Sequence, residues 1–374
     1  DLPWGVVRRP EENLADPQFL SRPVFGGEAT GMPWRVHVGG PAAAHAGAHG
    51  AARRPGPVGR LRVLDLTWQV MGPTVTRILA HAGADVVKVE RPGKPELMRI
   101  MPVGSSGTFP TGEGSPFFAN LNAGKRSLAL DLTSERDAVL RLVANADVVV
   151  ENFSSRVMER LGLGFEALQE ANPSIVYASL SGFGHEGPKR DYDTWGPTAQ
   201  AISGCAWLSG LPGRPPAGFG YSYLDYVGGY FATLGLLAAL YATRNDGRAR
   251  WVDVSQVECG LVCASLALEN PGMVEPGNDG PVVRAGDGRW VVGLERPGPD
   301  AYAAVLDGQA RGAACAVVQD MADRLAHDRQ LAHLNTYPLP YEATPIRIDG
   351  EPLPIAGPGP ALGRHTEEVL RQWL

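Results

Sequence analysis

In the stretch GYSYLDYVGGYFATLGLLAALYATR, residues 220–244, one carboxylate, Asp225, stands just ahead of a long apolar run. An aspartate at the start of a helix can do two kinds of work. It can cap the first turn, a task for which Asp is among the best residue types. It can also stay ionised beside the free N–H groups and the positive end of the helix dipole, and then act as a nucleophile at neutral pH. Gly228 and Gly229 follow, where a second backbone or a substrate can come close. Phe219, Tyr221, Tyr223 and Tyr226 surround the acid, either as core or as the walls of a pocket. Residue type alone makes the cap the default and leaves the nucleophile open.

The elements that would position Asp225 show in the chain from residue 61 onward. Short β-rich runs, LRVLDLT (61–67), ADVVKVE (84–90), ADVVVENF (146–153) and SIVYASLSGFG (174–184), alternate with stretches whose apolar residues recur at three and four. This alternation predicts an α/β fold with a parallel sheet covered on both faces. Helices are expected from Asp225 and from near Ser255, and GRWVVGLE (288–295) opens a small unit. Residues 39–59 are crowded with Pro, Gly and Ala and read as a linker. GVVRRPEENLADPQFL (5–20) lies over AVVQDMADRLAHDRQL (316–331) with five identities, each copy followed by a Pro-rich tail. Residues 1–56 therefore read as the tail of a preceding repeat unit with its linker. The expected division is then 57–280 for a large domain, 281–320 for a reduced small domain and 321–374 for a segment returning to the large domain.

Bulk properties exclude several classes. At 374 residues, 44% hydrophobic and 20% charged, the chain is globular, and a net charge of −6 does not suit nucleic acid or an anionic membrane as partner. Cys205, Cys259, Cys263 and Cys315 form no CxxC pair, so neither a zinc site nor a disulfide framework is indicated. The longest apolar run, 231–242, is shorter than the roughly 20 residues of a bilayer span. No charged n-region with an apolar h-region opens the chain. A soluble, cytoplasmic protein is expected, and Asp1 in place of Met suggests a fragment or a processed chain.

Several motifs in register, LRVLDLTWQVMGPTVTRILAHAGADVVKVERP (61–92), AGKRSLALDL (123–132), ADVVVENFSSRVMERLGLGFEALQEANPSIVYASLSGFGHEGP (146–188), AISG (201–204) and GPALGRHTEEVL (359–370), resemble the family III CoA-transferases. That family also holds the formyl-CoA and carnitine CoA-transferases and the α-methylacyl-CoA racemases. The resemblance implies a Rossmann-like large domain, a smaller domain and an interlocked dimer or other homo-oligomer. It implies transfer of CoA between an acyl-CoA and a carboxylic acid through an aspartyl anhydride and an aspartyl-CoA thioester, with coenzyme A as substrate and no metal. By the same resemblance Asp225, in YLDYVGG, is the nucleophile. Trp68, Gln69, Val70 and Met71 touch CoA, with Val70 standing where formyl-CoA transferases carry glutamine. Arg91 meets the phosphates, a task suited to a planar guanidinium. Asn152, Phe153 and Arg160, with Lys189 or Arg190, hold the adenosine and 3′-phosphate end, and Lys125 and Arg126 are further candidates.

Two departures matter. The racemase branch moves an α-proton with a His followed by Asp, whereas RDYDTWGPTAQAISG (190–204) has no His, so that chemistry lacks its base. Asp193 reads as a turn residue, and His185 and His365 as a loop contact and a cap-region residue. Only some forty residues, about Gly280 to Gln319, stand where relatives have a small domain of a hundred or more, and their glycine-rich loop has no counterpart. The alternatives to a transferase are therefore an acyl-CoA racemase or isomerase, and a non-catalytic CoA-binding half of a tandem or hetero-oligomeric enzyme.

Overall fold

A computed structural model of the chain describes residues 3–24, 31–40, 58, 59, 61–101, 115–210, 214–270, 281–327 and 344–374. Most of the expected linker at 39–59, the end of the second repeat copy and the start of the Pro-rich tail lie outside these residues.

Seven strands form the main sheet: β1 (Trp34–Val38), β2 (Arg62–Asp65), β3 (Asp85–Glu90), β4 (Arg126–Ala129), β5 (Val148–Glu151), β6 (Val176–Ser181) and β7 (Arg250–Ser255), in the spatial order 1-7-6-5-2-3-4. β2 to β7 run parallel, and β1 is antiparallel to β7 at one edge. The chain steps outward from β2 through β3 to β4, then returns beside β2 and steps the other way through β5 and β6 to β7. The direction reverses between β2 and β5, and the crevice beyond their C-terminal ends is where doubly wound folds bind ligands.

Burial on both faces explains why these strands read as near-continuous apolar runs. In β5, Val148 and Val150 join the core under the helices Met71–His81 and Tyr223–Asp246, while Val149 joins the opposite core under Arg136–Ala144, Phe165–Ala171 and Thr366–Trp373. The unit after residue 280 has its own small core of Ala285, Val291, Ala301, Val305 and Cys315. It lies between a three-stranded sheet (Val282–Arg284, Trp290–Val292, Ala316–Val318) and the helix Ala301–Ala310.

The segment before the expected linker does not trail away. Residues 3–24 and 31–40 pack on the large domain, β1 extends its sheet, and Arg22 is fully buried between Asp253 and Glu258. The Asp225 helix is 24 residues long, more than the 231–242 run suggests, and by length and hydropathy it could cross a bilayer. Here its inner side packs on the Met71 helix and on β6 and β7, as a core helix does.

That packing is close. A Cβ on Gly229 would lie 2.9 Å from the backbone oxygen of Met71 and 2.8 Å from Thr74 Cβ, whereas one on Gly228 would meet only the flexible end of Met71, at 2.6 Å. The glycines thus admit a neighbouring helix and not a thioester. Gly229→Ala should destabilise the protein by about 1–3 kcal/mol, as overpacking does, and Gly228→Ala by clearly less. Equilibrium denaturation of the two variants checks the order.

Candidate active site

The turn after β2 is built from a buried charge. Asp65, fully buried at the end of β2, accepts from Thr67 N (2.9 Å) and Thr67 Oγ1 (2.5 Å), from Thr76 Oγ1 (2.7 Å) and from Lys125 Nζ (2.9 Å). Lys88 Nζ, also buried, donates to Thr67 O at 2.7 Å. Burial alone would raise the Asp65 pKa, yet Lys125 and Lys88 hold it below the usual carboxylate range. Lys125 is pushed down to about 8 by the same burial against the pull of Asp65. Its expected role at CoA is therefore corrected: with Asp65, Thr76, Asn122 and Pro73 O as partners, this ammonium holds up the turn from inside. Arg126 likewise pairs with Asp85 and Glu368 and helps fasten the C-terminal helix.

The turn itself, Trp68 to Val70, faces the loop after β5. Trp68 N donates to Asn152 Oδ1 (2.8 Å), Asn152 Nδ2 to Trp68 O (3.0 Å), and the indole N–H to Asn152 O (3.1 Å). Asn152 therefore clamps the two switch-point loops together, and its amide is committed to that clamp. Gln69 at φ 59° and Arg156 at φ 65° are two of the three described non-glycine residues with left-handed backbone, and both sit in these loops. Such outliers persist where the surroundings fix them and cluster at functional sites.

Two clefts flank the loops. One, of about 390 Å³, is lined by Trp68, Arg91 and Phe153 together with Lys94, Asp131 and Leu161. At its rim the half-exposed Arg91 pairs with Asp131 at 2.9 Å. The other, of about 460 Å³, is lined by Ser155, Arg156, Glu159, Arg160, His185, Arg190 and Trp251. The short helix Val157–Arg160 separates them, with Val157 facing the first and Arg160 the second. Met71 is buried in the core. Lys189 is paired with Asp16 of the N-terminal segment, a second correction, and it is the neighbouring Arg190 that lines the cleft.

Asp225 lies in the first turn of its helix and does not cap it; the N-cap position belongs to Ser222. Its carboxylate is partly exposed and accepts a hydrogen bond from Gln256 Nε2. Gln256 Oε1 in turn accepts from Thr194 Oγ1 (2.9 Å), which turns the NH₂ of the amide toward Asp225. Burial raises the Asp225 pKa to about 6, against the hydrogen bonds from Gln256 and Ser222. The helix end was expected to hold the acid firmly ionised; desolvation outweighs it. Asp225 lines neither described cleft, but one turn along its helix Gly228 rests on Met71, the first residue after the Trp68 turn. Of the aromatic residues beside it, Phe219 and Tyr221 are exposed and pack on Tyr223 at 5.0 and 6.0 Å between ring centroids, and Tyr223 itself packs against the core. Asp193 is exposed and accepts from Ser154, and His365 Nδ1 accepts from Ser127 N at the start of the last helix.

A mostly parallel, doubly wound sheet with clefts at its switch point defines the class of open α/β protein that binds ligands beyond its strand ends. The chain belongs to CoA-transferase family III, whose model matches residues 58–298. Among curated relatives it is 39% identical over 220 residues to the acetyl-CoA:oxalate CoA-transferase of Acetobacter aceti, covering 58% of this chain and 55% of that protein. It is 33% identical over 293 residues to the succinyl-CoA:mesaconate CoA-transferase of Haloarcula marismortui, covering 74% and 73%. The chain thus spans little more than half the length of the Acetobacter protein. In fold it is similar to a CAIB/BAIF family protein from Brucella suis, with a TM-score of 0.75 at 24% identity over 85% of this chain and 100% of that one.

Because the folded pKa of Asp225 exceeds the unfolded value of about 4, its neutral form is the one the fold favours. Stability tied to this group is present below about pH 4 and is lost as pH rises toward 6. Asp225→Asn should therefore melt higher than the parent at pH 7.5, and the gap should close by pH 4. Thermal melts across that range measure it.

Proposed function

We propose that the chain transfers CoA between an acyl-CoA and a carboxylic acid, with Asp225 as nucleophile. The observation that carries this reading is a carboxylate held against Gln256, partly exposed and raised to about 6, on a helix that packs against the one following the switch-point turn. At pH 7 such a group is roughly nine-tenths ionised, and it is more basic than an ordinary aspartate, a useful combination for a nucleophile.

The steps balance without an outside reagent. A carboxylate oxygen attacks the thioester carbonyl, the C–S bond breaks, and CoA leaves as thiolate from a mixed aspartyl anhydride. The thiolate then attacks the aspartyl carbonyl, releasing the donor acid and leaving an aspartyl-CoA thioester. The acceptor carboxylate attacks this thioester, freeing the thiolate again, which takes the acceptor's acyl group from the new anhydride and restores Asp225. Gln256 and Ser222 hold the carboxylate between steps.

The relatives' names support CoA as the shared substrate, since each pairs an acyl-CoA with a carboxylic acid. On this reading Trp68, Gln69, Val70 and Phe153 seat CoA across the switch point. The half-exposed Arg91 exchanges its partner Asp131 for phosphate, a swap eased by the small worth of surface pairs, under about 1 kcal/mol. Arg156, Arg160 and Arg190 meet the remaining phosphates, where guanidinium forks are well matched. Residues 1–56 are, in the same proposal, the tail of a preceding unit, and the protein works in the cytoplasm as an intertwined dimer or tandem pair. The outer stripe of the Asp225 helix supports a partner there: Tyr230, Leu234, Leu237 and Tyr241 are exposed at helical spacing.

Incubation with radiolabelled acyl-CoA followed by hydroxylamine tests the chemistry. A hydroxamate at Asp225 is expected in the parent and none in Asp225→Ala, which should still bind CoA. Unchanged turnover in that variant sinks the assignment; solvent deuterium at the α-carbon would favour an isomerase, and CoA binding with neither signal a non-catalytic half.

A further inference from the structure

The loop from Gly182 to Arg190, which carries His185 and Arg190 into the basic cleft, is held from outside by the N-terminal segment. Gln18 is fully buried and makes three hydrogen bonds to that loop's backbone: Nε2 donates to Phe183 O (2.9 Å) and Glu186 O (2.8 Å), and Oε1 accepts from Lys189 N (2.7 Å). Asp16 pairs with Lys189 at the loop's end. Arg22, 0% exposed, donates to Asp253 and to Glu258, and a Cβ on Gly184 would lie 2.4 Å from its guanidinium carbon. The loop is thus folded around two side chains from elsewhere in the chain.

The two carboxylates tie this anchor to both ends of the site. Asp253 accepts from the His185 backbone N–H and lies 3.1 Å from its ring Nδ1, which fixes the imidazole that lines the basic cleft. Glu258 stands in the first turn of the helix that begins with Gln256, the donor to Asp225. Ser155, 6% exposed, has a buried Oγ without a hydrogen-bond partner and lines the same cleft. An unmet hydroxyl among three guanidinium groups suits an anionic oxygen.

We propose that residues Asp16–Arg22 are a positioning arm for anion binding: Gln18 and Arg22 set the loop that presents His185 and Arg190 to the phosphates of the bound nucleotide. The inference rests on the CoA reading of the clefts. Aligned as above, the second copy of this segment carries Arg329 and His333 where Gln18 and Arg22 stand.

The test uses the intact chain, with free CoA as probe. Gln18→Ala should weaken CoA binding about tenfold by calorimetry and raise amide exchange in residues 183–190, while hydroxamate formation at saturating acyl-CoA keeps its rate. Equal CoA affinity in Gln18→Ala overturns the proposal, and so does a lost rate with the loop still protected. If the parent chain binds no CoA, the functional reading fails by itself; the arm then stands or falls on loop exchange, and unchanged exchange rejects it. Should Gln18→Ala not fold, Asp16→Asn weakens the Lys189 and Arg8 pairs while its remaining carbonyl oxygen can still cap Gln18 N: a smaller loss in the same direction is expected, and unaltered loop exchange and affinity refute the arm.

Discussion

The site depends on one carboxylate that takes no part in the chemistry. Asp65 is buried at the end of β2, and its charge is tolerable only because Lys125, Thr76 and the Thr67 turn surround it. Removing one partner of such a buried pair strands the other, at a typical cost of about 3–5 kcal/mol. The turn geometry follows from satisfying this ion. Thr67 is pulled back onto Asp65, Lys88 holds its carbonyl, and Trp68 is delivered to Asn152 across the switch point. A second buried network, Arg22 with Asp253 and Glu258, does the corresponding work at the end of β7. Charges inside the fold thereby position charges at its surface.

Between these two anchors the chemistry is graded by burial. Asp253 is held at about 2 because His185 and Arg22 overcome its desolvation, and it stays an ion. Asp225 has only neutral donors, Gln256 and Ser222, so desolvation prevails and the group rises to about 6. Glu151, buried with the Tyr177 hydroxyl, rises to about 7. Three acids thus part company through the balance of burial against their partners, the pattern by which one scaffold separates structural from reactive carboxylates.

Much of this was legible in the sequence, and the gaps have physical reasons. β2, β3, β5 and β6 announced themselves because both their faces are buried. β7 did not: RWVDVS carries Arg250 and Asp253, whose charges are met by Asp246 and by Arg22. β1 was hidden because WRVHV alternates at an exposed edge, next to a Pro- and Gly-rich stretch. Asp225 could be found from local spacing, whereas Gln256, Gln18 and Arg22 could not, since they act on partners 31 to 236 residues away. Lys125 was misjudged as a site cation because a turn in the sequence gives no sign that its lysine points inward.

At both ends of the main sheet the outermost contacts come from chain segments far away in sequence. β1 pairs along β7, and at the other margin His365 and Thr366 take the N–H groups of Ser127 and Ala129. An open parallel sheet with bare margins invites strand-by-strand stacking with its neighbours. The outlying parts of this chain therefore act as hems, and a shortened version keeping only the central Rossmann-like region would bare β7 and β4, lose the anchor of the loop at the basic cleft and be prone to precipitate.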